Sequence, residues 1–302
     1  MAKRPKKFRQ ALEYGAARIL VSGLGILPLG VATWVGRRLG DMARVLDKRH
    51  RTRAREQVAE RLGLSGRELD EFVIANFRNY GMILAEFARL GRMEAEDFHR
   101  YVDVKPFRKR IQELRAEGKG LIFITMHFGN WEWCNSLAGI LGIEGGSIAR
   151  PLDNPRVNEM VRGMREKTGL PILDKQGAIR KALAAIRENK TVGILIDQDA
   201  GRGGMMSPFL GKPASTLTIP VELAIRTGCP MVVAAMRRGG SDKRFTMLFE
   251  EQEYRADPEA DPKAETRRLL DAVNAGLSRL IMQAPEQWFW IHRRWKSVGE
   301  RE

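Results

Sequence analysis

The chain of 302 residues has few of the residues on which several protein classes depend. Its two cysteines, Cys134 and Cys229, form no redox or metal-binding pair, so it needs no disulfide and suits a reducing compartment. The four histidines have no recognisable metal-ligand spacing, and we therefore predict no metal. A G-x-S-x-G motif is missing, and Cys134 is expected about two helical turns from the nearest histidine. Covalent catalysis therefore has little support.

Acidic residues are in the minority. The chain has 37 Asp+Glu against 52 Lys+Arg, a formal net charge of +15 and a pI near 10.2. Such a protein attracts anions, which include nucleic acid, anionic lipid, sugar phosphates and acidic proteins. Much of the positive charge lies near the N-terminus, in residues 1–9 and 37–55. A solvated surface is the alternative interpretation of these runs.

A long, uninterrupted hydrophobic run is also missing near the N-terminus. The uncharged stretch ILVSGLGILPLGVATWVG, residues 19–36, is interrupted by four glycines and Pro28 and is barely long enough to span a bilayer. Its basic flanks favour a pair of interfacial or shallowly inserted helices held to anionic lipid. A buried core helix and, less well supported, a cleaved signal peptide are the alternatives. We therefore predict a membrane-associating helical segment at residues 1–40.

Residues 41–302 are predicted to form a single α/β domain. Apolar residues recur at helical spacing from 41 to 117, and short apolar runs then alternate with amphipathic segments. This alternation predicts a mostly parallel central sheet covered by helices on both faces, with an antiparallel edge strand at 245–252. The predicted strands are 120–125, 145–149, 170–173, 191–196 and 230–236, and the predicted helices are 130–141, 154–168, 177–188, 216–227 and 263–283.

The stretch ITMHFGNWEWC, residues 124–134, contains a candidate acid–base pair. Gly129 permits a tight strand-to-helix turn and Asn130 is a good N-cap, so His127 is expected at a strand tip and Glu132 in the first turn of a helix. A carboxylate bonded to one ring nitrogen would leave the other nitrogen free to take a proton from a hydroxyl. His127 and Glu132 are therefore predicted to be a general base and its orienting acid. A structural histidine satisfied by a nearby acid is the alternative.

Polar residues that follow the later predicted strands are further candidates, because ligands of α/β sheets bind beyond the carboxyl ends of the strands. Arg150 could hold a phosphate or an oxyanion, or be an ordinary surface arginine. Asp197 and Asp199 could bind sugar hydroxyls, a basic group or, less plausibly, a metal. Ser215 and Thr216 are expected to cap a helix whose start is a possible anion site.

Near the C-terminus, EQWFWIHRRWK, residues 286–296, interleaves three tryptophans with basic residues. This composition is typical of a surface that contacts nucleic acid, a membrane interface or a phosphorylated ligand. Core packing of the rings with the charges in solvent is the alternative interpretation.

Five blocks in order, HFGNWE, RPLDNP, DQDAG, PFLGKPASTLT and WIHRRWK, resemble the bacterial lipid A biosynthesis acyltransferases. These enzymes belong to the wider lysophospholipid acyltransferase superfamily, and the resemblance covers nearly the whole chain. It implies a monotopic or membrane-anchored enzyme on the cytoplasmic face of the inner membrane. The implied reaction moves an acyl group from acyl carrier protein to a hydroxyl of a lipid A precursor.

The resemblance also implies roles for residues. His127 would be the general base and Glu132 its relay partner, in a direct transfer that requires neither a cofactor nor an acyl-enzyme. No nucleic-acid partner is expected. The residues expected to support or contact the substrates are Arg150, Asp199, Asn130 and Ser215.

Other functions remain open at this point. The family usually has a proline where this chain has Ile196, before DQDAG, so another glycolipid, such as a phosphatidylinositol mannoside, or a lysophospholipid is an alternative acceptor. Acyl-CoA is an alternative donor. A non-catalytic protein that binds anionic membranes or nucleic acid is the alternative from a different class.

Overall fold

The structure is a computed structural model that describes residues 6–174, 177–240 and 243–298. Its α-helices are α1 Lys6–Ile26, α2 Leu29–Leu46, α3 Lys48–Leu62, α4 Gly66–Arg89, α5 Ala95–Tyr101, α6 Lys105–Ala116, α7 Trp131–Ile140, α8 Pro155–Thr168, α9 Ala178–Arg187, α10 Ile219–Thr227 and α11 Pro262–Met282. Its strands are β1 Val102–Asp103, β2 Leu121–Thr125, β3 Gly145–Ala149, β4 Ile172–Asp174, β5 Thr191–Leu195, β6 Met205–Phe209, β7 Lys212–Thr216, β8 Met231–Arg238 and β9 Phe245–Phe249.

Seven of these strands form the central sheet, in the spatial order β1-β9-β8-β2-β5-β3-β4. Neighbouring strands are parallel except for β8 and β9, which pair antiparallel. The prediction of a mostly parallel sheet is therefore confirmed. The antiparallel strand β9 is also present, but the two-residue strand β1 lies outside it at the edge.

Helices pack on both faces of this sheet because side chains of one strand alternate between the two faces. On one face, Ile122 and Ile124 of β2 and Val192 and Ile194 of β5 belong to an apolar core shared with α3, α4, α9, α10 and α11. On the other face, Phe123 packs into a second core built from α5, α6 and α7. The residues that follow β2 and β5 emerge at the carboxyl edge between these two layers.

The strands β6 and β7 form a separate antiparallel hairpin that the sequence analysis did not predict. Leu210 and Gly211 both have positive φ and connect Phe209 to Lys212 by a two-residue turn, which suits a hairpin. The predicted capping role of Ser215 and Thr216 is therefore wrong, because both lie in β7. Helix α10 begins only at Ile219.

Two helices, α1 and α2, lie where the helix pair was predicted and are separated near Pro28, and their association with a membrane stays a prediction. Helix α2 lies very close to α4, and a Cβ atom at Gly81 would be 1.9 Å from the carbonyl oxygen of Gly36. Residue 40, the predicted end of the membrane-associating segment, lies inside α2. Residues 1–5 of the basic N-terminal run lie outside the described residues. Within the described chain, no helix has the length and apolar character needed to cross a membrane.

Candidate active site

The site forms where β2 and β5 end side by side. These strands pair in parallel with Thr125 opposite Leu195, and His127 and Asp197 each follow two residues later. The two side chains therefore emerge at the same edge of the sheet. Nδ1 of His127 donates a hydrogen bond of 2.8 Å to Oδ1 of Asp197, and the backbone N–H of His127 donates one of 2.8 Å to Oδ2.

Asp197 is an anion held in the interior, with a side chain only 1% exposed. The indole Nε1 of Trp288 donates a further hydrogen bond of 2.9 Å to Oδ2. Burial alone raises the pKa of the Asp197 carboxyl, but the attraction of the His127 ring when it is protonated, together with the N–H donors, outweighs burial and holds the pKa below its usual value. Because the carboxylate can only accept, Nδ1 of His127 carries the proton and Nε2 presents a lone pair.

Two aromatic rings hold the imidazole in place. Phe289 stacks on His127 with ring centroids 5.5 Å apart, and Trp131 meets it edge-on at 5.3 Å. Nε2 lies 3.5 Å from the amide nitrogen of Gln198 at the exposed side of the ring. The ring is therefore fixed on the Asp197 side and accessible on the side of its lone pair.

Glu132 does not hold the imidazole, so the predicted hydrogen bond between them is wrong. It lies in the first turn of α7 as expected, but its carboxylate accepts hydrogen bonds of 2.8 and 2.7 Å from Arg165 of α8. It also accepts one of 3.2 Å from Trp131 Nε1. The guanidinium offers a full charge and two N–H groups in a fork that matches a carboxylate, and Asp197 already fills the position beside Nδ1. A catalytic role for Glu132 stays a prediction.

Gly129 makes the tight turn between β2 and α7. Its φ is +55°, and a Cβ atom there would be 1.8 Å from the carbonyl oxygen of Met236 on β8. Its N–H donates to the carbonyl of Gln287 at 3.1 Å. Only glycine combines this conformation with so close an approach, so the turn that presents His127 depends on it.

Asn130 is the N-cap of α7, as predicted. Its side-chain oxygen accepts from the backbone N–H of Trp133 at 3.0 Å, and its amide donates to Glu86 at 2.8 Å. Glu86 is fully buried and pairs with Arg238 of β8 through a hydrogen bond of 2.8 Å from Nη2. Asn130 is itself fully buried, so these contacts fix the turn. Its predicted contact with a substrate stays a prediction.

Asp199 lies in the same loop as Asp197 and is held by the C-terminal segment. Ser297 Oγ donates a hydrogen bond of 2.7 Å to the Asp199 carboxylate. The backbone N–H of Asp199 donates one of 2.9 Å to Nε2 of His292. Burial lowers the pKa of His292 to about 4, so the ring is a neutral acceptor. These contacts fix the loop that carries Asp197.

The other two predicted substrate contacts lie in different surroundings. Arg150 follows β3, has a side chain 81% exposed and lies 3.4 Å from Asp153. Ser215 is fully buried in β7 and donates to the carbonyl of Gly201 at 2.6 Å. Their roles toward a substrate stay predictions.

The C-terminal tryptophans pack in the core, as the alternative interpretation of residues 286–296 had it, but that interpretation also left the charges in solvent, which is wrong for Arg294. Trp288 and Trp290 are fully buried, and so is Arg294, which donates to the carbonyl of Gln198 at 3.1 Å. Burial lowers the pKa of Arg294 to about 10. The sequence analysis missed the contacts of Trp288 and Phe289 with the histidine–aspartate pair. The alternation of tryptophan with basic residues was the only signal for them.

A narrow apolar slot begins beside the histidine and runs beneath α7. Trp131, one of the residues that line it, touches the His127 ring. Burial raises the pKa of the slot-lining Cys134 thiol to about 12, which disfavours a thiolate nucleophile. Within the described chain, His, Cys, Asp and Glu side chains form no group of three or more suited to a metal ion. Residues lining the slot include Phe107, Ile111, Trp131, Leu137, Gly193 and Met247.

An imidazole oriented by a buried carboxylate, at the carboxyl edge of a parallel sheet and beside an apolar slot, defines an α/β enzyme equipped for general-base chemistry next to a hydrocarbon group. The sequence model of the family described as bacterial lipid A biosynthesis acyltransferase matches residues 1–297. The chain belongs to this family and is an acyltransferase. The resemblance is therefore confirmed, and the non-catalytic alternative is wrong.

Individual relatives agree with this assignment. The chain is 26% identical to a lipid A biosynthesis lauroyltransferase of Escherichia coli over 97% of this chain and 96% of the relative. It is 26% identical to a palmitoleoyltransferase of lipid A biosynthesis from the same organism, over 92% of both chains. A phosphatidylinositol mannoside acyltransferase of Mycobacterium tuberculosis is 24% identical over 54% of this chain and 53% of the relative.

Proposed function

We propose that this enzyme transfers a fatty acyl chain from acyl carrier protein to a hydroxyl of a lipid A precursor, with His127 as the general base. The observation that carries the proposal is the 2.8 Å hydrogen bond between Nδ1 of His127 and the buried Asp197 carboxylate, next to the slot-lining Trp131. Membership of the family supports acyl transfer, and the names of two relatives support a lipid A acceptor.

The reaction proceeds by direct attack. Nε2 of His127 takes the proton of the acceptor hydroxyl while the oxygen attacks the thioester carbonyl carbon, and the C–O bond of the new ester forms. The tetrahedral oxyanion collapses, the C–S bond breaks, and the leaving thiolate takes the proton back from the imidazolium. Asp197 remains ionised throughout and stabilises the imidazolium. Asp197 therefore has the relay role first expected for Glu132.

The acyl chain of the donor occupies the slot beneath α7. The slot entrance at Trp131 adjoins the His127 ring, which brings the thioester carbonyl next to the base. Apolar side chains along the slot remove the hydrocarbon from water, and this burial holds the thioester in position for attack.

The donor and acceptor follow from charge and chemistry. Acyl carrier protein is acidic and a lipid A precursor is anionic, and both suit a protein of net charge +15. Acyl-CoA is the alternative donor. The similarity to a phosphatidylinositol mannoside acyltransferase favours another glycolipid as the second candidate acceptor, and a lysophospholipid is a third.

The N-terminal helices attach the enzyme to the cytoplasmic face of the inner membrane. Among the residues that the structure describes, nine of the twelve exposed large hydrophobic side chains lie on α1 and α2, so the exposed apolar surface is concentrated there. Arg18, Arg37 and Arg38 are exposed on the same helices. Apolar side chains flanked by basic ones favour shallow insertion into an anionic lipid surface. The apolar side chains are Phe8, Leu12, Ile19, Ile26, Val31, Trp34, Met42, Val45 and Leu46.

The activity is tested with purified protein, acyl carrier protein thioesters and a lipid A precursor. His127→Ala is expected to lower kcat by about 10²- to 10⁴-fold because the hydroxyl loses its base. Parallel reactions with acyl-CoA, a phosphatidylinositol mannoside and a lysophospholipid identify the donor and acceptor. Transfer by His127→Ala at the wild-type rate would reject the mechanism, and no transfer by the wild-type protein to any acceptor would reject the function.

Membrane attachment is tested with vesicles that contain phosphatidylglycerol. Ile19 is 77% exposed on α1. Ile19→Glu is expected to weaken vesicle binding at least about 10-fold, because an apolar side chain that inserts into the lipid is replaced by a charge. Met282→Glu, at a 53% exposed position on α11, is the matched control and should bind like wild type. Equal binding by wild type and Ile19→Glu would contradict the proposed surface.

A further inference from the structure

Gly193 occupies an unusual place for a glycine. It lies in the middle of β5, paired with Phe123 of β2 on one side and Ser147 of β3 on the other. Its φ is not in the positive range, so the backbone conformation does not require glycine. A glycine inside a strand weakens the sheet and often marks a position that a ligand approaches closely.

Neighbouring protein atoms restrict this position at one side chain only. A Cβ atom at Gly193 would meet Ser147 Oγ at 3.1 Å, and the next atoms only at 3.8 and 3.9 Å. By contrast, a Cβ atom at Gly129 or Gly145 would lie within 2 Å of a backbone oxygen. The missing side chain at Gly193 therefore leaves room in the slot that this residue lines.

The slot and the catalytic pair share one face of the sheet. Gly193, Leu195 and Asp197 follow one another at every second position, so they point to the same side. Four residues of strand separate Gly193 from Asp197, which corresponds to about 13 Å. An acyl chain that starts at His127 and follows the slot therefore passes over Gly193 at about this distance.

The slot continues beyond Gly193 toward the amino end of β5. Thr191, Ile143 and Ile111 line this part, and Ile143 is 8% exposed. Thr191 lies two residues before Gly193 on the same face, and its N–H bonds to the carbonyl of Glu144, next to Ile143. These residues line the part of the slot farthest from His127.

We infer that Gly193 determines the length of acyl chain that this enzyme accepts. The missing side chain lets the hydrocarbon cross the middle of β5 and reach the far end at Thr191 and Ile143. Any larger side chain at this position would end the slot early. This inference rests on the proposed function and adds the residue that selects among acyl donors.

The test compares acyl carrier protein thioesters of increasing saturated chain length. Gly193→Val is expected to shift the preferred chain to a shorter one and to lower kcat/KM for the longest wild-type substrate by at least about 10-fold relative to a shorter one. Ile143→Ala is expected to shift the preference to longer chains. A folded, active Gly193→Val enzyme with the wild-type length profile would overturn the inference.

Val192→Ile is the matched control, because it adds one carbon to the same strand on the opposite face, where Val192 is fully buried. Its length profile should remain that of the wild type. If Gly193→Val unfolds in a thermal melt, Gly193→Ala serves instead, combined with Ser147→Ala to relieve the 3.1 Å contact.

Binding of free saturated fatty acids, measured by calorimetry on the His127→Ala background, separates this inference from the proposed function. Loss of binding of long chains on adding Gly193→Val would support the inference even if wild type transferred no acyl group to any acceptor. Unchanged binding of every chain length would overturn the inference whatever the fate of the proposed reaction.

Discussion

Two acidic residues lie close to the active-site turn, and they have different partners. Asp197 is buried and bonds to the imidazole, the backbone of His127 and the indole of Trp288. Glu132 is five residues from His127 in sequence but forms a forked ion pair with Arg165. Nearness in sequence therefore did not identify the acid that orients the base. The parallel pairing of β2 and β5 brought together two residues that are 70 positions apart.

The difference shows how each acid is held. Asp197 is fixed by the sheet edge and by the C-terminal segment, so its carboxylate cannot turn away from the imidazole. Glu132 belongs to α7, and its pair with Arg165 ties α7 to α8 at partly exposed positions. The first arrangement fixes a buried charge beside the imidazole, whereas the second joins two helices.

The largest effect should come from Asp197→Asn, compared with Glu132→Gln. Asparagine keeps the size of the side chain but removes the charge that fixes the tautomer and stabilises the imidazolium, so kcat should fall about 10²- to 10⁴-fold. Glu132→Gln should lower kcat by less than about 10-fold, since only a supporting pair is weakened. Steady-state kinetics and thermal melts of both variants measure this contrast. Equal losses of kcat would give Glu132 a catalytic role after all.

A smaller effect should come from Trp288→Phe, with Trp290→Phe as its control. Both indoles are fully buried and each donates one hydrogen bond, to the Asp197 carboxylate and to the carbonyl of Pro285 respectively. A bond to a charged acceptor contributes about 1.5–3 kcal/mol, so Trp288→Phe should lower kcat about 10-fold more than Trp290→Phe. Thermal melts correct for the packing that both variants lose. Equal kcat values in variants of similar stability would contradict a role for Trp288 in holding Asp197.

The smallest effect concerns stability at low pH. The pKa of His292 falls from 6.5 to about 4 because the ring is buried, so between these values the unfolded chain binds a proton that the folded chain does not. The contribution of His292 to the free energy of unfolding is complete above pH 6.5 and is lost as the pH falls toward 4. At pH 5 the loss is about 2 kcal/mol. His292→Gln cannot titrate, and its side-chain oxygen can still accept from Asp199.

This variant should therefore lose less stability than wild type when the pH falls from 7 to 5. Denaturant unfolding at both values measures the difference. Identical losses in the two proteins would show that His292 is not kept neutral behind the Asp197 loop.

Much of the fold follows from local pattern. Five predicted strands of the central sheet agree with β2, β3, β4, β5 and β8 within two residues at each end, because buried parallel strands are short apolar runs between turns. The predicted edge strand 245–252 ends three residues beyond β9. Asn130 was identified as a cap from its type and place. The hairpin β6–β7 was missed because its turn, Leu210-Gly211, lacks the Asn-Gly or Asp-Gly signal and its strands contain Pro208 and Pro213.

The candidate active site likewise contains residues that local sequence predicts and residues that it does not. His127 was recognisable because an ionisable residue directly after an apolar strand lies at the carboxyl edge of the sheet. Asp197 was visible as an acid after another strand, but strand order decides whether two strand ends are neighbours. The contact of Trp288 with Asp197 depends on the path of the C-terminal segment. The composition of residues 286–296 was compatible with several interpretations and did not predict this path.

The sequence by itself determined most strands and helices of the α/β domain, the glycine turn before α7 and the histidine at the end of β2, because these depend on residues close together in the chain. Only the tertiary structure decided which acid orients that imidazole, which ring holds the acid and which residues line the slot. Those features depend on the order of strands in the sheet, and a hydrogen bond is sensitive to distances of a few tenths of an ångström that no spacing along the chain specifies.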